Sequence, residues 1–384
     1  METAGSRSRI RQELADGRPY TVGEIAGATG LARSTVVQSL TVLEAGGTVR
    51  RHPPRPVGRG RPAHLWSIAD APGPLIVLVA AAHGTTVGVV RPDGKVLAAR
   101  AAPAFDGDDT GRRASSVPEL LDRVLADAAI AAGDIALAVV GLPGASGFSP
   151  RAASGPSTHL NQFRVWDGAD PSVILRDRLT CPIHYENDAN LAALGEVTHG
   201  AGRGLRAALY VSLAHGTGAG LVIDGRLHRG RSSLAGEIGH LHAEDDGRLC
   251  HCGARGCFWH RTSFPALLDD LARAHGRRFT SRDVADAAER DESDVVRSLH
   301  GLGYALGRRL ADAVVFLDPE AIILDGGLGA ASKGIATGVK QALQRYAPPL
   351  MARSCDVRSG LLGRHAALVG GASLARSEQL LPAP

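Results

Sequence analysis

Gly236-Glu237-Ile238-Gly239-His240-Leu241-His242-Ala243-Glu244-Asp245-Asp246-Gly247-Arg248-Leu249-Cys250-His251-Cys252-Gly253-Ala254-Arg255-Gly256-Cys257-Phe258-Trp259-His260 is the stretch from which the rest of the chain can be read. It holds three of the five cysteines within eight residues, with His240 shortly upstream. Three thiolates and one imidazole make a closed tetrahedral set, the usual composition of a structural zinc site. Gly253 and Gly256 sit where the chain must turn tightly for all three sulfurs to face one ion. A disulfide or ordinary buried thiols are the alternatives, but an odd trio leaves one sulfur unpaired. His242, His251 or His260 could replace His240 as the fourth ligand, because spacing alone does not choose among them.

Glu237 lies three residues before His240. The pattern Glu-x-Gly-His followed by Cys-x-Cys-Gly-x-x-Gly-Cys strongly resembles the ROK family of bacterial repressors and sugar kinases. The resemblance implies an α/β fold of two actin-like (ribonuclease H-like) lobes flanking a ligand cleft, with the C-terminal helix returning to the first lobe. It also implies that His240 binds zinc through one ring nitrogen and meets a sugar with the other. A metal on one nitrogen fixes the tautomer and orientation of the second, so the dual role is chemically sound.

Charge locates a separate module. Residues 1–67 carry ten arginines against five acidic residues, whereas the remainder is close to neutral, so the net charge of +4 resides in the first sixth of the chain. A basic module on a near-neutral body points to nucleic acid. No apolar run is long enough to span a bilayer and no signal-peptide core is present, so a cytoplasmic protein with reduced thiols is expected.

Within residues 1–70, Ile10 and Leu14 mark a short first helix, and Thr21 with Glu24 forms a capping box for a second. Gly30 makes the turn, and a third helix runs from about Ala32 to Ala45 with Val36, Leu40 and Leu43 inward. That leaves Arg33, Ser34, Thr35 and Gln38 outward at its start, the pattern of a helix-turn-helix whose second helix enters the major groove. Gly58-Arg59-Gly60-Arg61-Pro62 then reads as the basic loop of a wing, where Arg59 and Arg61 beside Gly60 suit a narrow minor groove. A solvated Arg-Pro linker is the plainer reading of that run taken alone. Placed after the helix-turn-helix pattern, it makes a winged helix-turn-helix that binds double-stranded operator DNA.

The body, residues 71–384, alternates apolar strands, helices and glycine turns, which indicates an α/β architecture. The resemblance implies a first lobe of about 71–190 plus the C-terminal helix, and a second lobe of about 191–360 containing the zinc motif. Kinases of the family open this domain with Asp-x-Gly-x-Thr, where the aspartate serves the metal-bound phosphates of ATP. The matching place here is Val79-Ala80-Ala81-Ala82-His83, and no acidic residue occurs from Ala71 to Pro92. A nucleotide's magnesium then has no anchor, which argues against phosphoryl transfer and leaves no catalytic residue to assign.

Asn187-Asp188 after a strand resembles the family's sugar-binding pair, although Asp188 could instead cap the next helix. With Asn187, Asp188, Glu237 and His240 in the expected order, a sugar site is implied. Trp259 stands two residues after Cys257, where kinases of the family usually carry a glutamate; its face could stack on a pyranose or fill core space. His215-Gly216-Thr217-Gly218-Ala219-Gly220 is read as a hairpin scaffold. The expectation is a sugar-sensing, zinc-containing repressor acting as a homodimer or tetramer. A sugar kinase with a DNA-binding extension, and a regulator using the body only for oligomerisation, stand as alternatives.

Overall fold

The computed structural model describes residues 6–7, 9–10, 13–14, 19–45, 49–53, 63–68, 73–81, 84–103, 110–143, 171–213, 216–250, 252–378 and 380–381. The chain divides into two units, Met1–Gly73 with Leu381–Pro384, and Pro74–Leu380.

In the first unit, strands β1 (Tyr20–Thr21), β2 (Val49–Arg51) and β3 (Leu65–Ile68) form an antiparallel sheet with β3 in the middle. Helix α1 (Val22–Thr29) starts on the expected capping box: Glu24 N donates to Thr21 Oγ1 at 3.2 Å and Thr21 N to Glu24 Oε2 at 2.6 Å. Gly30 ends it at φ 67°, a left-handed conformation that glycine adopts without a Cβ clash. Helix α2 (Arg33–Ala45) follows, and its Val36, Leu40 and Leu43 pack with Ile10, Leu14, Ile25 and Trp66. The helix–turn–helix is therefore formed, and its apolar spacing is what forms it.

The second unit contains two five-stranded sheets of one topology. In the first, β4 (Leu75–Ala81), β5 (Gly84–Val90) and β6 (Val96–Pro103) run antiparallel, while β7 (Leu137–Leu142) and β8 (Ile183–Asn187) extend it in parallel from β4. In the second, β9 (Ala208–Ser212), β10 (Gly218–Ile223) and β11 (Arg226–Leu227) are antiparallel, and β12 (Ala321–Leu324) and β13 (Asp356–Ser359) extend from β9 in parallel. Both sheets read third-second-first-fourth-fifth in chain order. The repeat is one of topology: no internal repeat stands out in the sequence. The inner strands are buried on both faces, which is why they read as continuous apolar runs such as Leu75-Ile76-Val77-Leu78 and Ala321-Ile322-Ile323-Leu324.

Helix α3 (Thr110–Ala128) covers the first sheet and ends where Ala129 takes a φ of 53°. Helix α4 (Asp188–His199) continues directly from β8 and packs on strands of both sheets. Helices α5 (Ser293–Leu317) and α6 (Ala331–Tyr346) pair in the second half, and α7 (Ala366–Ser377) packs on α4, β4, β5 and β7. Both helix pairs cross on glycine. A Cβ on Gly370 would stand 1.7 Å from Leu191 O, one on Gly195 2.1 Å from Ala366 O, and one on Gly303 2.0 Å from Ile335 O. The helix backbones touch there, with no side chain between them.

Glu196 on α4 is 0% exposed and replaces water with backbone donors. It accepts from Ala201 N at 2.8 Å, Leu361 N at 3.1 Å and Leu362 N at 2.8 Å, which pins the loop after β13 to α4. No helix among the described residues is long and apolar enough to cross a membrane.

Candidate ligand cleft and metal cluster

The stretch from Gly236 to His260 leaves β11 as a loop, makes a single 3₁₀ turn at Ile238–His240, and then doubles back on itself. Two glycines let it approach β10. A Cβ on Gly236, at φ 94°, would stand 2.0 Å from Ala219 O, and one on Gly239 would stand 2.2 Å from Thr217 O. Glu237 is therefore held on a segment pressed against the sheet backbone. Ala219 N donates to Gly236 O at 2.7 Å, and His240 N to Glu237 O at 3.0 Å.

Further on, bridges pair His242 with Cys257 and Leu249 with Arg255, so the cysteines arrive on two facing segments. Cys250 N donates to Ala254 O at 2.7 Å and Gly253 N to Cys250 O at 3.0 Å, closing the tight turn. Gly253 and Gly256 take φ values of 91° and 66°, as the spacing required. The donor atoms of His240, Cys250, Cys252 and Cys257 all lie within 4.8 Å of one another, a set that could hold a metal ion. Cys250 Sγ is 3.5 Å from His240 Nδ1, and Cys252 Sγ is 3.5 Å from Cys257 Sγ. Among the rival histidines, His242 turns to Asp245 at 3.5 Å, and His260 stacks on Trp259 with ring centroids 4.1 Å apart. His251 lies outside the described residues.

Beside the cluster is a cleft of about 230 Å³. Asn187, Asp188, Glu237, His240 and Trp259 all line it, together with Pro143, Ser212 and Gly216 to Gly218. Both halves of the unit thus contribute to its lining, the first through the end of β8 and the start of α4 and the second through the Gly236–His240 segment. Asn187 is the cap of α4, accepting from Asn190 N at 2.9 Å. Asp188, the first residue inside the helix, does not serve as that cap; its Oδ1 accepts from Ala189 N at 2.8 Å. Burial, with Asp325 nearby, pushes Asp188 up to about 6 despite that N–H. Burial and the neighbouring Asp188 push Glu237 up to about 7. Such acids keep or release a proton near neutrality, which suits a wall meeting hydroxyl groups. Trp259 Nε1 donates to Cys250 Sγ at 3.3 Å, so the indole is tied to the cluster while lining the cleft.

Sequence reasoning missed three contributors. Thr217 and its flanking glycines, read as scaffold only, line the cleft as well. Gly236 and Gly239 carry the close approach, and the Gly-x-x-Gly spacing around Glu237 was the available signal. Glu186, directly before Asn187, is 2% exposed and bonded to Arg229 at 2.6 Å.

In the first unit, Arg33, Ser34 and Gln38 are exposed and Thr35 is half-buried at the start of α2. Arg33 folds back so that a Cβ on Gly23 would stand 3.2 Å from its guanidinium. His52 Nε2 bonds Ser67 Oγ at 2.9 Å and His64 Nδ1 bonds His52 O at 2.9 Å, joining the ends of β2 and β3. Arg59, Gly60 and Arg61 lie outside the described residues.

A glucokinase from Halalkalibacterium halodurans is 32% identical over 224 residues, 53% of this chain and 67% of its own length. A xylose repressor from Bacillus spizizenii is 28% identical over 209 residues, 54% of each chain. The solved structure of a ROK family transcriptional regulator, a homologue of the Escherichia coli MLC protein, superposes with a TM-score of 0.70 at 19% identity. It covers 97% of this chain and 95% of its own, a likeness of fold. The ROK family model matches residues 87–378, well over half of the sequence, and the chain belongs to the ROK family.

Proposed function

We propose that this protein is a DNA-binding transcriptional regulator, a repressor, whose body senses a sugar and does not phosphorylate it. The observation that carries the sensing part is the convergence of Asn187, Asp188, Glu237, His240 and Trp259 on one cleft beside the cysteine cluster. Its volume suits a single small polar ligand, below the several hundred Å³ usual for drug-sized molecules. The helix-turn-helix with exposed Arg33, Ser34 and Gln38 supports the DNA part.

The metal in this reading is zinc, held by His240, Cys250, Cys252 and Cys257. Sulfurs around one zinc stand about 3.8 Å apart, given Zn–S bonds of about 2.3 Å and tetrahedral angles. The 3.5 Å separations of Cys252 from Cys257, and of Cys250 from His240 Nδ1, fit that spacing. Bound zinc would supply a structural brace. The chain itself then presents His240 Nε2 and Glu237 to the cleft, accepts ligand hydroxyls on Asp188, and walls off solvent with Trp259. Arg59 and Arg61 would reach the minor groove from the wing, and a symmetric dimer would present two readers to two half-sites.

The absence of any acidic residue from Ala71 to Pro92 supports loss of catalysis. One observation favours the kinase reading: Asp188, raised to about 6, has the basicity of a general base and shares the cleft with Gly216-Thr217-Gly218. An assay of ATP-dependent phosphorylation of glucose and xylose separates the two. Turnover would overturn the regulator-only reading; sugar-dependent release from or recruitment to DNA without turnover supports it.

A further inference from the structure

Arg229 follows β11 of the second sheet, yet its guanidinium serves the first. Its Nε donates to Glu186 Oε2 at 2.6 Å and its Nη2 pairs with Glu378 Oε1 at 2.5 Å. Glu186 lies in β8 and is 2% exposed; its other oxygen accepts from Asn187 N at 2.8 Å and Asn190 Nδ2 at 2.9 Å. Glu378 follows α7, which packs on β4, β5 and β7. One cation from the second half is thus bonded to two carboxylates carried by the first. At its other end, Arg229 O accepts from Ala235 N at 3.0 Å, bracing the loop that leads into Gly236 and Glu237.

We propose that Arg229 is a clasp between the two halves, a positioning residue that sets the separation of the Asn187–Asp188 wall from the Glu237 wall. The proposal rests on the reading of the cleft as a ligand site. The bonded path is short on both sides. Glu186 is one residue from Asn187 and bonds its amide, and the Arg229 loop ends on Glu237. A guanidinium fork can serve two carboxylates in fixed directions, which a lysine ammonium does not reproduce. Glu378 is 32% exposed whereas Glu186 is 2% exposed, so the inner bond is the better shielded of the two and holds the geometry.

Charge neutralisation alone is the competing role, and the double variant E186Q/R229M separates it from the clasp by removing both charges together. Hydrogen–deuterium exchange is followed in the whole chain over segments 183–191 and 228–238, with metal content measured in parallel. R229K and E186Q/R229M are expected to exchange at least ten-fold faster in both segments, with β4, β12 and metal content unchanged; E378Q should give a smaller change of the same sign. Glucose and xylose serve as probes, and any binding seen in the parent should weaken at least ten-fold in R229K. Parent-like exchange in R229K, or in a folded E186Q/R229M, would overturn the clasp. A parent that binds neither sugar defeats the sensing reading for those probes but leaves the exchange comparison to decide the clasp.

Discussion

Glu237 Oε2 stands 3.9 Å from His240 Nε2, while the opposite ring nitrogen, Nδ1, faces Cys250 Sγ at 3.5 Å. A single imidazole therefore borders both the sulfur cluster and the cleft. Anything that reorients the ring on the sulfur side moves the donor or acceptor offered on the other.

Removing one sulfur tests that link. C252S should lose bound zinc by elemental analysis and lower the melting temperature, because metal affinity in such sites is folding free energy. It should also abolish any stabilisation by sugar. A variant that keeps its response to sugar after losing the metal would contradict the arrangement.

The ligand side is tested by E237Q and H240A in thermal-shift measurements with glucose and xylose. A ligand at a hundred times its Kd stabilises the native state by about 2.7 kcal/mol, and both variants should lose most of that shift. Loss in H240A with full retention in E237Q would place the ligand away from Glu237.

Asp188 gives a pH signature. Its folded pKa of about 6 lies above the 3.8 of an ordinary aspartate, so the folded state binds the proton more tightly. Its ionisation therefore lowers stability progressively from about pH 4 to about pH 6 and costs a constant amount above that. D188N should melt above the parent at pH 8, with the gap closing as the pH falls from 6 to 4, while any sugar binding is weakened. A gap independent of pH would show that the carboxyl is not strained by burial.

On DNA, Q38A should cost about 1–3 kcal/mol on a selected operator and relax preference at the base it reads. Alanine at Arg59 and Arg61 should instead weaken all duplexes, lowering the slope of log K against log salt by about 0.9 for each phosphate no longer neutralised. Filter binding or anisotropy at several salt concentrations distinguishes the two patterns.

G370A probes the helix crossing. Its Cβ would meet Leu191 O at 1.7 Å, so α4 and α7 would have to separate, at a cost of about 1–3 kcal/mol by denaturant titration. Unchanged stability would mean that the crossing relaxes freely.

Much of this was legible in the sequence because it is local. The Thr21–Glu24 box, the Gly30 turn and the Val36/Leu40/Leu43 stripe each lie within one or two turns of helix. The cysteine cluster was legible because its donors lie within eighteen residues of one another. Spacing alone did not separate His240 from His242 and His260; the resemblance singled out His240, whose place beside the sulfurs depends on where the Gly236–Gly239 segment is pressed against β10. The assignment of Asn187 as the helix cap, leaving Asp188 in the cleft, turned on a one-residue difference that composition does not resolve. Glu186 and Arg229 are 43 residues apart and meet across two sheets, and such a pair has no periodicity to announce it. The shared topology of the two sheets left no repeat in the residues, because strand order constrains apolar character more than identity.

At Gly195 and Gly370 two rods rest axle to axle, with no compressible cushion between them. Packed interiors yield by re-seating side chains, and at these two glycines there is none to re-seat. A nudge delivered to the Asp188 end of the first rod cannot be soaked up where it crosses the second. Movement there should instead carry the second rod along with the first as one rigid piece.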